Sequence, residues 1–285
     1  MTYHYAREDL LSALAAAGIG RGDVVSLQVS LGRIGLARGV APDYRSQANF
    51  VIDAYLEVLG PHGTLIVPTY SYSIGRGEVF EVEVTPSALG EFTEVFRKRS
   101  DTIRSRDPML SSAGIGPAAL DVLRASSRSC YGSGSTFHQL RIVGAKICTL
   151  GVSLYYATFR HHIEEMANVP FRFVKHFTGT VRERGEESQE TWMYFAAPHV
   201  ANCSPDGLRL ERKVRAAQLL AIAPVGRGEL MVIGAREYFD FGIAELCDDP
   251  WLTAKGPPAP AAVLFACEEQ WLASQNAGQR AGSRN

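Results

Sequence analysis

Asp23-Val24-Val25-Ser26-Leu27-Gln28-Val29 reads as a buried strand: valines and a leucine crowd a run too short for a helix. It leads into a glycine-punctuated loop from Ser30 to Gly39. Tyr44 to Leu59 then returns apolar side chains at helical spacing, until Gly60-Pro61-His62-Gly63 breaks the pattern. Thr64-Leu65-Ile66-Val67 is a second apolar strand, closed by Pro68. Strand, loop, helix, strand is the order that lays two strands side by side with a helical crossover. A mixed, partly parallel central sheet with flanking helices is the expected fold, in the α/β class.

Outward from that unit, Asp9 to Ala17 has helical spacing and stops at Gly18. Ser87 to Lys98 reads as a helix with Ser87 as its N-cap. Ser100 to Gly116 shows no regular pattern and precedes a short helix near Pro117 to Arg124. Lys146 to Gly151 is a third core strand, followed by a helix that carries Thr158, His161 and Glu164. Beyond Pro170, Phe171 to Val181 and Glu190 to Ala196 read as long strands around a charged hairpin, a second strand-rich lobe. A helix over 207–220, a strand over 230–233 and a helix over 235–247 complete a body of residues 1–255. Residues 256–285 form a C-terminal extension, partly disordered, above all over 277–285.

With 285 residues, 46% of them hydrophobic, the chain is long enough for a large core. Its net charge of −1 gives no electrostatic reason to expect nucleic acid or a membrane surface as partner. Five scattered cysteines without a CxxC pair suit a reducing cytoplasm rather than a disulfide framework. No run of apolar residues reaches the length of a membrane span or resembles a signal peptide. These features point to a soluble, cytoplasmic, globular protein. Nothing in the sequence decides between a single chain and a homodimer.

The densest chemistry is Thr158-Phe159-Arg160-His161-His162-Ile163-Glu164-Glu165. On a helix, His161 shares a face with Glu164 and Glu165. A carboxylate beside an imidazole fixes its tautomer and raises its basicity, as a general base requires. Two other readings stay open: a solvated charged face, or a metal site, although the HExxH order is absent. Ser30-Leu31-Gly32-Arg33-Ile34-Gly35 is neither GxGxxG nor Walker A, yet its glycines would let backbone N–H groups approach phosphate oxygens. Arg104-Ser105-Arg106-Asp107-Pro108 and the serines that follow, Ser111 and Ser112, make a polar stretch suited to a pocket wall. Tyr70 and Tyr72 suit either ring stacking or core packing.

Taken in order, these segments resemble the aminoglycoside 3-N-acetyltransferase family. The Ser-Leu…Gly turn after the first strand is matched by Ser30 to Gly35. The GTL-x-x-P-T strand is matched by Gly63 to Thr69, the R-S-x-H-P-x-x-S segment by Arg104 to Gly116, and the T-x-x-H-x-x-E helix by Thr158, His161 and Glu164. Asp107 stands where the family shows histidine before the proline, and Gln28 where the first strand often ends in histidine.

The resemblance implies a coenzyme A-dependent N-acyltransferase with acyl-CoA or acetyl-CoA as co-substrate and no metal. His161 would be the base, Glu164 its orienting partner, and Asp107 would position the amine. Ser30, Leu31, Gly32, Arg33, Ile34, Gly35, Arg104, Ser105, Ser111 and Thr158 would hold the acyl-CoA. Thr69, Tyr70, Tyr72, Arg172 and Lys175 would face the acceptor. The basic stretch Val169 to Gly179, with Arg172 and Lys175, favours a nucleotide-linked amino sugar, whose diphosphate it would attract; the alternative acceptor is an aminoglycoside antibiotic, and the alternative from another class is a non-catalytic binding protein on the same fold.

Overall fold

The computed structural model describes residues 2–266. The chain begins with α1 (Arg7–Ala16), β1 (Val24–Val29), a single helical turn α2 (Leu31–Ile34), α3 (Tyr44–Leu59) and β2 (Thr64–Pro68). Then come β3 (Phe80–Glu81), α4 (Glu91–Arg97), β4 (Ile103–Arg104), β5 (Ser112–Ile115), α5 (Ala119–Leu123), α6 (Thr136–Ile142) and β6 (Lys146–Leu150). α7 (Phe159–Met166), β7 (Phe173–Glu183), β8 (Glu186–Ala196), α8 (Leu208–Ala216), β9 (Ala221–Val225), β10 (Gly228–Gly234) and α9 (Ala235–Asp248) complete the order.

Seven strands form the central sheet in the order β4-β5-β2-β1-β6-β10-β9. Its middle is parallel, with Ser26 of β1 opposite Ile66 on one side and Ile147 on the other. Antiparallel pairs flank it on both edges. Alternation along each strand divides the core in two. Val25 and Leu27 of β1, Leu65 and Val67 of β2, and Cys148 of β6 pack with α1, α3 and α4 on one face. Ile66 and Ile147 face the other way, toward α5, α6, α7 and α9. The carboxyl ends of β1, β2 and β6 therefore open onto one edge, where α/β sheets place ligands.

Local chemistry sets the boundaries. Asp43 caps α3, its Oδ1 accepting the Ser46 N–H at 2.9 Å, and Gly60 ends the helix with φ of 64°. α4 starts later than the expected Ser87, with Gly90 at its N-cap; the Ser87 hydroxyl instead accepts the Leu89 N–H. The 100–116 stretch, expected to be irregular, supplies β4 and β5. Serine, glycine and alanine carry no strand signature there, and pairing with β2 decides the matter. The expected helix over 207–220 ends at Ala216, and residues 221–225 form β9 at the sheet edge, the position where Pro224 is tolerated.

The second lobe is a three-stranded sheet, β3-β7-β8. β7 and β8 are each 11 residues long and turn through Arg184 and Gly185, both at positive φ as a two-residue hairpin requires. The hairpin is stitched to the body where the Cys130 N–H donates to the Met193 carbonyl at 2.9 Å. Residues 256–266 lie against the body: the Gly256 N–H donates to the Asn202 carbonyl, Leu264 joins the core, and Phe265 packs edge-on against Phe173. The expected disorder over 277–285 lies outside the described residues. Among the described residues, no helix is long and apolar enough to cross a membrane.

Candidate active site

A short connection joins β6 to α7, so the first turn of α7 stands at the sheet's carboxyl edge. His161 and Glu164 are three apart and meet there: Nδ1 lies 2.7 Å from Oε2. Glu165, the other partner the helix offers, turns aside to accept from the Ser129 hydroxyl. The neighbouring His162 is a core residue, fully buried with Nδ1 on the Tyr131 carbonyl at 2.6 Å.

Glu164 is itself fully buried, and besides His161 it serves two cations. Arg160, one turn back, pairs with its Oε1, and the Arg172 Nε lies 2.9 Å from its Oε2. Arg172 also donates to the Phe195 carbonyl at 3.0 Å, which ties the helix to the second sheet. Burial alone would raise the Glu164 carboxyl, but Arg160 and Arg172 overcome it and hold the group far below the usual carboxylate range. His161 goes down as well, to about 4, through burial first and then the two guanidiniums; the glutamate only partly opposes them. The added basicity expected from Glu164 is thus cancelled by burial and by the arginines beside it. His161 is neutral near neutral pH, with Nδ1–H donated to Glu164, while Nε2 faces the Arg160 Nη2 at 3.5 Å.

Polar side chains from several other segments gather at this edge, and Tyr131 among them touches the imidazole. The Gln28 Nε2, at the end of β1, donates to the Thr158 hydroxyl at 3.0 Å, and the Tyr70 phenol lies against that same hydroxyl. Tyr131 packs 5.2 Å from the His161 ring, and its hydroxyl donates to that of Tyr194 at 2.9 Å. Tyr72 crosses Tyr70 edge-on at φ of 55°, a left-handed backbone that a tyrosine adopts only under tertiary constraint. Asp107 is buried near these phenols. Its Oδ1 accepts the Met109 and Leu110 N–H groups at 2.8 and 2.9 Å and the Cys130 thiol at 3.6 Å, and burial pushes its carboxyl up to about 6.

Other residues expected to bind ligand are spent on structure. The Arg104 guanidinium reaches the Thr69 and Thr85 carbonyls at 2.7 and 2.5 Å and stacks 5.0 Å over Phe80, so it straps the segment after β2. Ser111 donates to the Thr69 carbonyl, and Thr69 donates back to the Ser111 carbonyl; both side chains are fully buried. The Ser105 hydroxyl accepts the Ser112 N–H inside the β4–β5 pair. Lys175 lies over the Phe177 ring at 5.1 Å. In the loop after β1, Leu31 and Ile34 are core, Ser30 pairs with Leu150, and Gly35 is hemmed in by His4. Gly32 and Arg33 face outward, into a groove of about 650 Å³ shared with Ser153, Arg215 and Arg227. The groove leads toward α7: Ser153 bonds Glu211, and Tyr155, two residues on, lies under the Arg160 guanidinium at 5.6 Å.

The model of the aminoglycoside 3-N-acetyltransferase family matches residues 28–246. The chain belongs to this family. It is accordingly an acyltransferase. Aminoglycoside N(3)-acetyltransferase VII of Streptomyces paromomycinus is 27% identical over 270 residues, covering 84% of this chain and 90% of that one. In fold, the chain is similar to AAC-IIIb, solved as a binary complex with CoASH, with a TM-score of 0.74 at 20% identity over 89% of this chain and 100% of that one. A variant of AAC(3)-IVa in complex with a gentamicin gives a TM-score of 0.74 at 22% identity, over 90% and 94%.

Sequence reasoning named His161, Glu164 and Thr158 but passed over Arg160, Tyr131, Tyr194 and Cys130. Arg160 was legible in principle, since it stands four residues before Glu164 on the same helix. The other three reach the site only through tertiary packing. Among the described residues, no group of three or more histidine, cysteine or acidic side chains converges as a metal would require.

Proposed function

We propose that the chain transfers an acetyl group from acetyl-CoA to a primary amine of an aminoglycoside, with His161 as general base. The 2.7 Å bond between His161 and a fully ionised Glu164 carries this reading. Acetyl-CoA occupies the groove at Gly32 and Arg33, where Arg33 and Arg227 suit its phosphates and Arg215 is paired with Glu211 and Glu229. The acceptor lies on the phenol-lined side, near Tyr72, Tyr194 and Asp107. Its amine nitrogen attacks the thioester carbonyl; the C–N bond forms, and the nitrogen of the adduct, now positively charged, is more acidic than a free alkylammonium. That proton passes to the His161 Nε2. The C–S bond then breaks and the thiolate leaves, taking the proton in turn. Thr158, held by Gln28, offers its hydroxyl to the carbonyl oxygen or the sulfur.

The nucleotide-linked amino sugar loses its stronger anchor, because Arg172, expected to meet its diphosphate, is engaged on Glu164. The names of the relatives favour the aminoglycoside. The test is His161→Ala: thiol release with an aminoglycoside falls by about 10²–10⁴-fold while CoA still binds. Near-wild-type turnover removes His161 from the mechanism. Turnover of a thymidine-diphospho amino sugar in place of an aminoglycoside overturns the acceptor.

A further inference from the structure

A cavity of about 750 Å³ opens where the β4 edge of the central sheet meets the hairpin of the second lobe. Six arginines line it, Arg97, Arg104, Arg106, Arg124, Arg128 and Arg184, against three glutamates. In a chain whose net charge is −1, that concentration of one sign is local, and the walls focus it. The six are not equivalent. Arg97 and Arg104 are committed to Glu94 and to backbone carbonyls, and Arg106 is closed between Glu183 and Glu190. Arg128 pairs with Glu190 and stacks on Trp192 but keeps 48% of its side chain exposed. Arg124 and Arg184 are exposed at the mouth, and neither guanidinium has a hydrogen bond or ion pair among the described residues.

We propose that this cavity is a binding site for an organic phosphate, separate from the acyl-transfer centre. Guanidinium forks match phosphate oxygens two at a time, and three of them stand at the open side. The rest of the lining suits an organic body: Ile103 and Leu120 expose 39% and 49% of their surface beside the arginines. The volume is that of a small-ligand pocket. On the buried side Arg104 rests on backbone carbonyls and has no carboxylate partner among the described residues, while Arg97 is closed on Glu94. Neither His161 nor the Asp107 side chain lines the cavity, and an ammonium-bearing acceptor would be repelled from it.

Calorimetric titration of the full chain, with the coenzyme groove saturated by CoA, tests the proposal with ADP, inorganic pyrophosphate and succinate as probes. ADP and pyrophosphate bind, and the double variant R124Q/R184Q weakens both by about tenfold or more, as loss of two charge-assisted contacts requires. Thiol release from acetyl-CoA is unchanged in that variant, so the result stands apart from the fate of the acyl-transfer assignment. The proposal is overturned if neither phosphate binds, if the double variant binds them as the wild type does, or if saturating CoA abolishes the titration. Succinate binding as tightly as pyrophosphate overturns the phosphate assignment.

Discussion

Glu164 and Asp107 are both buried carboxyl groups, and their surroundings drive them in opposite directions. Glu164 has two guanidiniums and an imidazole within bonding distance, and it is ionised under all ordinary conditions. Asp107 has two backbone N–H groups and a thiol but no cation among the described residues, and burial lifts it to about 6. Two carboxyls whose environments separate their pKa values mark a division of labour. Glu164 is the fixed charge that orients an imidazole. Asp107 is the group whose proton is exchangeable close to neutral pH, next to where an amine would dock.

The largest effect follows from removing that fixed charge. Glu164→Gln leaves Arg160 and Arg172 buried without a counter-ion, which costs about 3–5 kcal/mol of stability. The same change frees the His161 tautomer, so residual folded enzyme turns over near the His161→Ala level. Denaturant unfolding and thiol release measure the two effects. A variant as stable as the wild type would show that the clamp on Glu164 does not carry its burial.

The second prediction uses the opposed pKa directions. Asp107 titrates near 6 in the folded chain against an ordinary 3.8, so between those values the folded state holds the extra proton and falling pH stabilises it. His161 titrates near 4 against an ordinary 6.5, so in that window the unfolded state holds more protons and falling pH destabilises the fold. The two contributions oppose each other between about pH 6 and 4. Asp107→Asn removes one of them, and its stability then declines more steeply than the wild type's as pH drops from about 6.5 to 4. Parallel stability curves for the two proteins would place the Asp107 pKa at its ordinary value.

How much of this was legible in the sequence follows from the range of the forces involved. β1, α3, β2 and β6 announce themselves because their burial patterns are local and periodic, and His161 and Glu164 are neighbours on one helix. β4, β5 and β9 are short and weakly patterned, and they become strands because β2 and β10 offer β5 and β9 hydrogen bonds and β5 in turn offers them to β4. Charge partners were the hardest part. Arg104 and Arg172 look like phosphate ligands in a linear reading, yet each is consumed by groups distant in the chain: Thr85 and Thr69 for one, Glu164 and Phe195 for the other. A buried guanidinium must find acceptors somewhere, and the sequence does not say which.

Lys175 provides the smallest and most discriminating change in the comparison. It belongs to the same basic segment as Arg172, but it sits over the Phe177 ring rather than on a carboxylate. Half-buried on β7, it contributes on the scale of a cation–π contact, so Lys175→Gln costs about 0.5–1 kcal/mol in thermal or denaturant unfolding. Arg172, carrying the same sign of charge three residues earlier, is bound into the Glu164 clamp, and Arg172→Gln loses several times as much while altering the pH profile of turnover. The pH profile separates the two roles. Arg172 lowers His161 through space, so its loss raises the imidazole and moves the acid limb of kcat/KM to higher pH, whereas loss of Lys175 leaves that limb in place.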